Sequence, residues 1–185
     1  MTQTGSISPN LLFRTLRRDE ASRLGSIDRA EHVDAVYRMR HGELVLEEQV
    51  EEISGWAPDE LTAYVARLEE LLDADGLALG AWEADGLIGL ASLDLRPVGG
   101  DPTRMKLDML YVSAGRRGHG IGRRLVEQLA TQARSLGATS LYVSATPTRS
   151  TVDVYRRLGA ELLASPDPAL LGKEPEDIHL LLRLT

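Results

Sequence analysis

The chain has 185 residues, of which 43% are hydrophobic and 26% are charged. This length predicts a single domain, and the composition excludes a disordered chain, a collagen-like repeat and a membrane protein. Lys and Arg number 21 and Asp and Glu number 28, so the net charge is -7, which argues against nucleic acid as a partner. The chain has no cysteine, which excludes disulfides, thiolate metal sites and a cysteine nucleophile.

The first ten residues, MTQTGSISPN, are rich in small polar residues and predict a flexible leader. They lack the basic start and apolar block of a secretory signal. No uncharged apolar run approaches the roughly 18 residues that a membrane span requires. We therefore expect a cytoplasmic protein without a membrane partner.

The stretch that follows the leader predicts mostly helices. Phe13–Leu16 is a candidate strand, and the apolar residues of 19–40 fall at three- and four-residue steps, which predicts two short helices. Residues 43–54 carry five Glu and fit either a solvated helix or a strand followed by a loop, and both alternatives stay open. Pro58 opens a clearer amphipathic helix, which Asp75-Gly76 ends.

Residues 77–112 change to a strand pattern. LALGAW and LIGLASLDL are apolar runs joined through Ala84-Asp85-Gly86, which is a hairpin signal. A loop at 96–103 leads to RMKLDMLYV at 104–112, a third strand. These residues therefore predict an antiparallel meander.

The C-terminal part predicts a helix, a strand, a second helix and a last strand. A glycine-rich turn enters a long helix that ends near Gly137, and residues 141–145 read LYVSA, a strand pattern. Thr148 is the predicted N-cap of a helix that runs to Leu158. SPDPALLGKEP predicts a loop, and DIHLLLRL predicts the last strand.

The glycine-rich turn has the chemistry of a phosphate site. A strand that enters a helix through such a turn directs free backbone N–H groups and the positive end of the helix dipole at one spot. Glycines let the backbone approach an anion closely, and neighbouring arginines add positive charge. The alternative is a flexible loop with solvated arginines. The residues concerned are Gly118, Gly120, Gly122, Arg116, Arg117, Arg123 and Arg124.

Spacing excludes two common phosphate motifs. The Walker pattern is absent, because Gly172-Lys173 is followed by Glu174. The dinucleotide fingerprint also fails, because no glycine stands three residues after Gly122. ATP or GTP bound by a P-loop is therefore excluded, and NAD is disfavoured.

The pattern that fits is [QR]-x-x-G-x-[GA], as Arg117–Gly122, between an apolar strand and a long helix and followed by VYRRLGA. Over residues 77–163 the sequence resembles the GNAT superfamily of acyl-CoA-dependent N-acetyltransferases. The resemblance implies an α/β fold with a mixed, mostly antiparallel sheet of about six or seven strands flanked by helices. It also implies a single N-acetyltransferase domain at 11–185, with an acceptor-side part at about 11–76, a CoA-binding core at about 77–163 and a C-terminal strand at about 177–184.

The resemblance implies that acetyl-CoA is the cosubstrate. In the family the turn holds the pyrophosphate and the preceding strand holds the pantetheine arm, where one backbone N–H can act as an oxyanion donor. Many members carry Asn early in the last helix, where Thr148 and Ser150 stand here. The implied cofactor-binding residues are Leu110, Tyr111, Val112, Arg117, Gly118, His119, Gly120, Ile121, Gly122, Arg123, Thr148 and Ser150.

Three residues are catalytic candidates. Tyr155 matches the family's tyrosine acid, which protonates the leaving thiolate, and its alternative role is in the helix core. Asp108, on the strand beside the acetyl group, is the first candidate for the general base, and Glu43 is the second. Either carboxylate could instead be a plain surface charge. The four histidines form no ligand pattern, so we expect no metal.

The expected function is N-acetyl transfer to a primary amine by direct attack in a ternary complex. A non-catalytic acyl-CoA-binding sensor or partner-binding module is the alternative, and a purely structural domain is a third. The acidic stretch predicts a cationic acceptor, unless its glutamates form a remote solvated face. Dimers are common in the family, which leaves a homodimer open. The glutamates concerned are Glu43, Glu47, Glu48, Glu51 and Glu52.

Overall fold

A computed structural model of the chain describes residues 11–184. The predicted leader at residues 1–10 lies outside the described residues. Short 3₁₀ helices occur at Arg18–Ser26 and Ala114–Arg116. The strands and α-helices of the described residues are, in chain order, β1 (Leu11–Thr15), β2 (Glu31–Arg40), β3 (Glu43–Ile53), α1 (Pro58–Asp73), β4 (Leu77–Glu83), β5 (Gly86–Asp94), β6 (Arg104–Val112), α2 (Ile121–Ser135), β7 (Ser140–Ala145), α3 (Arg149–Arg157), β8 (Glu161–Leu162), α4 (Pro168–Lys173) and β9 (Ile178–Arg183).

Seven strands form one mixed sheet in the order β1-β4-β5-β6-β7-β9-β8, and β2 and β3 form a separate hairpin. The pairs β1–β4, β4–β5, β7–β9 and β8–β9 are antiparallel, whereas β6 and β7 are parallel. The β6–β7 ladder pairs Arg104–Lys106 with Ser140–Tyr142 and ends there. The predicted α/β fold, with a mostly antiparallel sheet of six or seven strands flanked by helices, is confirmed.

The prediction of a second short helix before Arg40 is wrong, because these residues form strand β2. Val33, Val36 and Tyr37 are spaced like one face of a helix, but the backbone of β2 pairs antiparallel with β3. This pairing also resolves the alternatives for residues 43–54, because Glu43–Ile53 is the partner strand. A β-bulge between Val33 and Ala35 shifts the register within the hairpin.

The remaining local predictions mostly hold. Helix α1 begins at the predicted Pro58, and β6 covers the predicted residues 104–112. Thr148 is the N-cap of α3, where its hydroxyl accepts the Thr151 N–H at 3.4 Å. The predicted loop before β9 contains α4, whose N-cap Asp167 accepts the Leu170 N–H at 2.9 Å.

The described residues form two compact units. The first contains the residues through Ala30, Ser54–Asp94 and Met109–Thr131. Its core joins the first 3₁₀ helix to β4, β5 and α1 through buried side chains that include Leu24, Leu68 and Leu90. Glycine at position 89 lets α2 approach β5, since a Cβ there would lie 3.2 Å from Ile121.

The second unit contains Glu31–Ile53, Leu95–Asp108 and the described residues from Gln132 onward. Helix α3 contacts β2 and β9, and the core includes Leu141, Val152 and Leu180, all fully buried. None of the helices within residues 11–184 combines the length and apolar character needed to cross a membrane.

Candidate active site

The turn between β6 and α2 has the backbone geometry of an anion site. Gly118 and Gly120 both have φ of +80°, a region that glycine adopts without strain. The first bond of α2 runs from the Arg124 N–H to the Gly120 carbonyl at 3.0 Å. The three preceding N–H groups, those of Ile121–Arg123, therefore have no partner within the helix and can bind an anion at the positive end of its dipole.

The space above the turn is open. A Cβ at Gly118 or Gly120 would meet no heavy atom within 4 Å. Arg123 and His119 are exposed, and His119 Nδ1 lies 2.9 Å from the Arg117 carbonyl oxygen. Ile121 is buried and anchors the first turn of α2. The exposed side of the turn is therefore available to a ligand while its buried side is fixed.

The other arginines of the turn, at positions 116, 117 and 124, contact residues of the first unit. Arg117 donates to the carbonyl oxygens of Val112 at 3.0 Å and Ala30 at 2.9 Å. Arg116 pairs with Glu83 at 3.1 Å through Nε, and the Arg124 guanidinium lies 4.3 Å from the centroid of the Phe13 ring. These contacts fix the position of the turn within the first unit, and the backbone N–H groups of Ile121–Arg123 are its candidate anion donors.

The end of β6 lies against this turn. A Cβ at Gly122 would lie 3.6 Å from Val112 Cγ2 and 3.9 Å from Leu110 Cδ1, which is ordinary contact. Leu110, Tyr111 and Val112 are all partly buried. The first unit thus brings together the residues that the sequence predicts for the pyrophosphate and the pantetheine arm.

Tyr111 belongs to an aromatic cluster that sequence reasoning missed. Its ring packs edge-on against Trp56, with centroids 5.1 Å apart, and against Tyr64, with centroids 6.0 Å apart. The Arg29 guanidinium lies 4.8 Å from the Trp56 centroid, and the Trp56 indole N–H donates to the Ile27 carbonyl at 2.9 Å. The helical pattern of α1 predicts that Tyr64 faces the core, but not that it meets Tyr111.

Tyr155 lies on α3 in the second unit and is 6% exposed. Burial, and then the charges of Asp108 and Asp177, raise the pKa of its phenol above the ordinary value. The phenol is therefore neutral at physiological pH and can donate a proton. Since the charge of Asp108 contributes to this rise in pKa, the two catalytic candidates share one electrostatic environment in the second unit.

Asp108 is not a surface charge, because its side chain is only 6% exposed. The Lys106 Nζ lies 3.2 Å from its Oδ1 and 3.4 Å from Glu174 Oε2. Sequence reasoning missed Lys106, although its spacing of two residues from Asp108 places both side chains on one face of the strand. Glu43 is exposed at the tip of the β2–β3 hairpin, opposite Arg40. Within residues 11–184 no hydrogen bond or ion pair joins it to Asp108 or Tyr155.

The two hydroxyl residues at the start of α3 differ in environment. Thr148 is buried and caps the helix, whereas Ser150 is exposed and donates to the Glu31 carboxylate. They line a cleft of about 440 Å³ between β2 and α3. Its charged lining includes Asp34, Arg149 and Asp153.

Several solved acetyltransferase structures are similar to this fold. The chain resembles nourseothricin acetyltransferase with a TM-score of 0.71 and 22% identity, covering 95% of this chain and 99% of that one. A provisionally named streptothricin acetyltransferase from Bacillus anthracis str. Ames, solved in complex with acetyl coenzyme A, has a TM-score of 0.70 and 16% identity over 95% and 99% of the two chains. Aminoglycoside 6′-acetyltransferase type Ii has a TM-score of 0.61 and 20% identity over 94% and 97%.

At these identities the structural likeness shows a shared fold. No curated protein sequence matches the chain. The model of the acetyltransferase (GNAT) family matches residues 37–160, which include the turn, Asp108 and Tyr155. Because this match covers more than half of the chain, the protein belongs to the GNAT family of acetyltransferases.

Proposed function

We propose that this protein transfers an acetyl group from acetyl-CoA to a primary amine by direct attack in a ternary complex. The observation that carries the proposal is the open turn, where Gly118 and Gly120 adopt positive φ and the N–H groups of Ile121–Arg123 precede the first helical bond. This arrangement suits a pyrophosphate. The acetyl coenzyme A complex of the Bacillus anthracis relative supports the same cosubstrate.

The proposed contacts follow the order of the cosubstrate. The turn, Arg117–Arg123, holds the pyrophosphate, and the backbone of Leu110–Val112 holds the pantetheine arm. Ser150 supplies an exposed hydroxyl to CoA, whereas the Thr148 hydroxyl caps α3 and contributes through its position. Composition is consistent with direct attack, because a chain without cysteine cannot form a Cys-linked acyl-enzyme.

Asp108 and Tyr155 divide the proton transfers. Acetyl-CoA supplies the acetyl group, so the C–N bond to the acceptor forms and the C–S bond breaks. Asp108 takes one proton from the acceptor ammonium and releases it to solvent, which leaves a nucleophilic amine. Tyr155 donates its proton to the departing thiolate and regains one from the acylated nitrogen. Glu43 is the second candidate for the base, and its exposure makes it the weaker one.

We also propose that the acceptor is a cationic amine. Glu48 and Glu51 are exposed on β3, and Glu47 pairs with Arg40 at 2.9 Å. A strand with this charge raises the local concentration of cations and repels anionic acceptors. One structural relative, aminoglycoside 6′-acetyltransferase, is consistent with an amine acceptor.

Thiol release from acetyl-CoA, measured across a panel of amines together with the product mass, tests the proposal. We expect amine-dependent thiol release and a product heavier by one acetyl group. Acetyl-CoA binding without amine-dependent release would favour the sensor alternative. Absence of acetyl-CoA binding would overturn the assignment of the turn.

A further inference from the structure

A buried ammonium joins two carboxylates in the second unit. Lys106 and Asp108 point to the same face of β6, and their side chains are 9% and 6% exposed. Glu174, which follows α4 and is 23% exposed, reaches the same ammonium at 3.4 Å. Lys106 therefore bridges a strand and a segment that lies 68 residues away in the sequence.

A buried ion pair is weak evidence of a stabilising role. Removing an ammonium and a carboxylate from water costs several kcal/mol per ion, and apolar residues of similar volume often replace a buried ion pair without loss of stability. The chain has only two lysines, and the other, Lys173, is exposed at the end of α4. A cation buried beside the candidate base points to a role in the chemistry of that base.

Burial opposes the ionisation of Asp108, and the nearby ammonium of Lys106 favours it. A carboxyl group at this depth loses the hydration that stabilises its charge, whereas an opposite charge within about 4 Å restores the preference for the ionised form. Only the ionised carboxylate can take a proton from the acceptor. Glu174 holds the ammonium from its other side, which limits the positions that Nζ can occupy.

We propose that Lys106 is a positioning residue for acetyl transfer, whose ammonium holds Asp108 ionised and in one orientation while Glu174 holds the ammonium. This inference rests on the proposed function, in which Asp108 is the general base. Several other titratable groups belong to this environment. They are Asp177 before β9, Tyr155 on α3, Tyr142 on β7 and His179 on β9.

Burial favours the neutral form of His179 on β9. The pKa of His179 is lowered by burial; a backbone hydrogen bond with Glu174 and the charge of Glu174 oppose this shift, and the charge of Lys106 reinforces it. The Tyr142 hydroxyl lies 2.7 Å from His179 Nδ1, so this nitrogen has a partner within the unit. We assign the acid limb expected in the pH profile of kcat/KM to Asp108 rather than to His179. Asp108→Asn tests this assignment directly, because that variant should have a low rate and no acid limb.

Two variants should shift this limb in opposite directions. Lys106→Met removes a positive charge, so Asp108 needs a higher pH to ionise, and the acid limb of kcat/KM moves up by about one pH unit or more. Glu174→Gln removes a negative charge beside the same ammonium, which leaves a more positive potential at Asp108. The acid limb of kcat/KM should therefore move to lower pH. Lys106→Arg keeps the charge and should retain most of the wild-type profile. Lys173→Met, the matched control, should leave the profile and the KM for acetyl-CoA unchanged.

A purely structural role would lower the rate at every pH without shifting the limb, and that result would overturn the proposal. Shifts of the same sign in Lys106→Met and Glu174→Gln would overturn it as well. Carboxyl titration by NMR, with the Asp108 resonance assigned through Asp108→Asn, should show the pKa of Asp108 shifting in the same directions without any measurement of turnover. If the wild type transfers no acetyl group, the proposed function fails, and the NMR titration still decides whether Lys106 holds Asp108 ionised.

Discussion

Tyr155 combines near-complete burial with two nearby carboxylates, and both conditions disfavour the phenolate. A proton donor needs this state, because it must still carry its proton when the thiolate departs. As the proposed general base, Asp108 needs the ionised state, and the Lys106 ammonium, 3.2 Å from its Oδ1, supplies the charge that favours this state. Neighbouring groups thus favour the neutral form of Tyr155 and the ionised form of Asp108, which are the states that the proposed acid and base roles require.

Replacing Tyr155 with Phe should lower kcat by about 10²-fold while the affinity for acetyl-CoA is retained. The ring stays in the core, and only the proton donor is lost. Single-turnover kinetics and calorimetric titration measure the two quantities. Tyr142→Phe is the matched control, because it removes another buried phenol of the same unit and should change kcat little. An unchanged single-turnover rate in Tyr155→Phe would show that Tyr155 packs in the core and does not donate a proton in the reaction.

The same residue sets an expectation for alkaline pH. Since the pKa of Tyr155 lies above its ordinary value, the phenol keeps its proton as pH rises past the range where an exposed tyrosine ionises. The wild-type kcat should therefore show no loss from tyrosine ionisation up to a pH of about 10. A rate that falls below this pH in the folded wild type, with no such fall in Tyr155→Phe, would contradict this assignment.

Gly120→Asp should abolish acetyl-CoA binding, because it places a negative charge and a side chain where the pyrophosphate is proposed to lie. Calorimetric titration measures the affinity. Gly137→Asp is the control, since that glycine also has positive φ, +91°, and open space around its Cβ, but lies beyond the C-terminal end of α2. Equal affinity in the wild type and Gly120→Asp would remove the turn from the binding site.

At the scale of elements, the first 3₁₀ helix illustrates how a short segment is held. The Glu20 carboxylate receives the Arg14 guanidinium at 2.7 and 2.8 Å and the Arg17 backbone N–H at 3.0 Å. The Arg14 hydrogen bond, followed by the Arg17 backbone bond, lowers the pKa of Glu20 to about 2. One carboxylate therefore joins β1 to the helix start.

Glu20→Gln should lower the free energy of unfolding by on the order of 1–2 kcal/mol at neutral pH. Because the pKa is depressed in the folded state, this stabilisation is complete above the unfolded pKa of about 4.5 and is lost as pH falls towards 2. Denaturant unfolding at several pH values measures it. The exposed neighbour provides a control, since Asp19→Asn should have little effect. A difference between wild type and Glu20→Gln that persists unchanged at the lowest pH would contradict the charge-based account.

At the scale of the whole molecule, net charge and local charge have opposite signs at the proposed cosubstrate site. The chain carries -7 overall, yet four arginines flank the glycine turn at 116, 117, 123 and 124, and of these Arg116 is paired with Glu83. The exposed glutamates of β3, in contrast, carry negative charge. Such a distribution suits a protein that binds an anionic cosubstrate and a cationic acceptor.

For this reason we expect kcat/KM to be higher for a di- or polyamine than for an anionic amine, with a preference that weakens as salt rises. Glu48→Gln combined with Glu51→Gln should lower kcat/KM for the polyamine roughly threefold at low salt. Asp85→Asn combined with Glu127→Gln removes the same net charge from exposed positions outside β3 and should have a smaller effect. A preference for the anionic amine, or equal effects of the two double variants, would leave β3 without a role in recognition.

Local signals were sufficient for much of the fold. Pro58 and the apolar face that follows it predict α1, the Asp-Gly turn predicts the β4–β5 hairpin, and Thr148 predicts the cap of α3. The glycine turn could also be predicted from sequence, because positive φ and the start of a helix depend on residues that are adjacent in the chain. These features share one property, which is that each is decided by contacts within a few residues.

Only tertiary structure decided the features that depend on distant partners. In β2, Val33, Val36 and Tyr37 satisfy a helical spacing, and the partner strand β3 determines that the segment is extended. The Tyr111–Trp56 contact and the Lys106–Glu174 pair join residues that are remote in the chain, so no spacing rule predicts them. Sequence alone therefore determined which residues could act as proton donors, proton acceptors or phosphate ligands. Burial and long-range pairing decide which protonation state of each residue is favoured, because desolvation and Coulomb energies depend on neighbours in space.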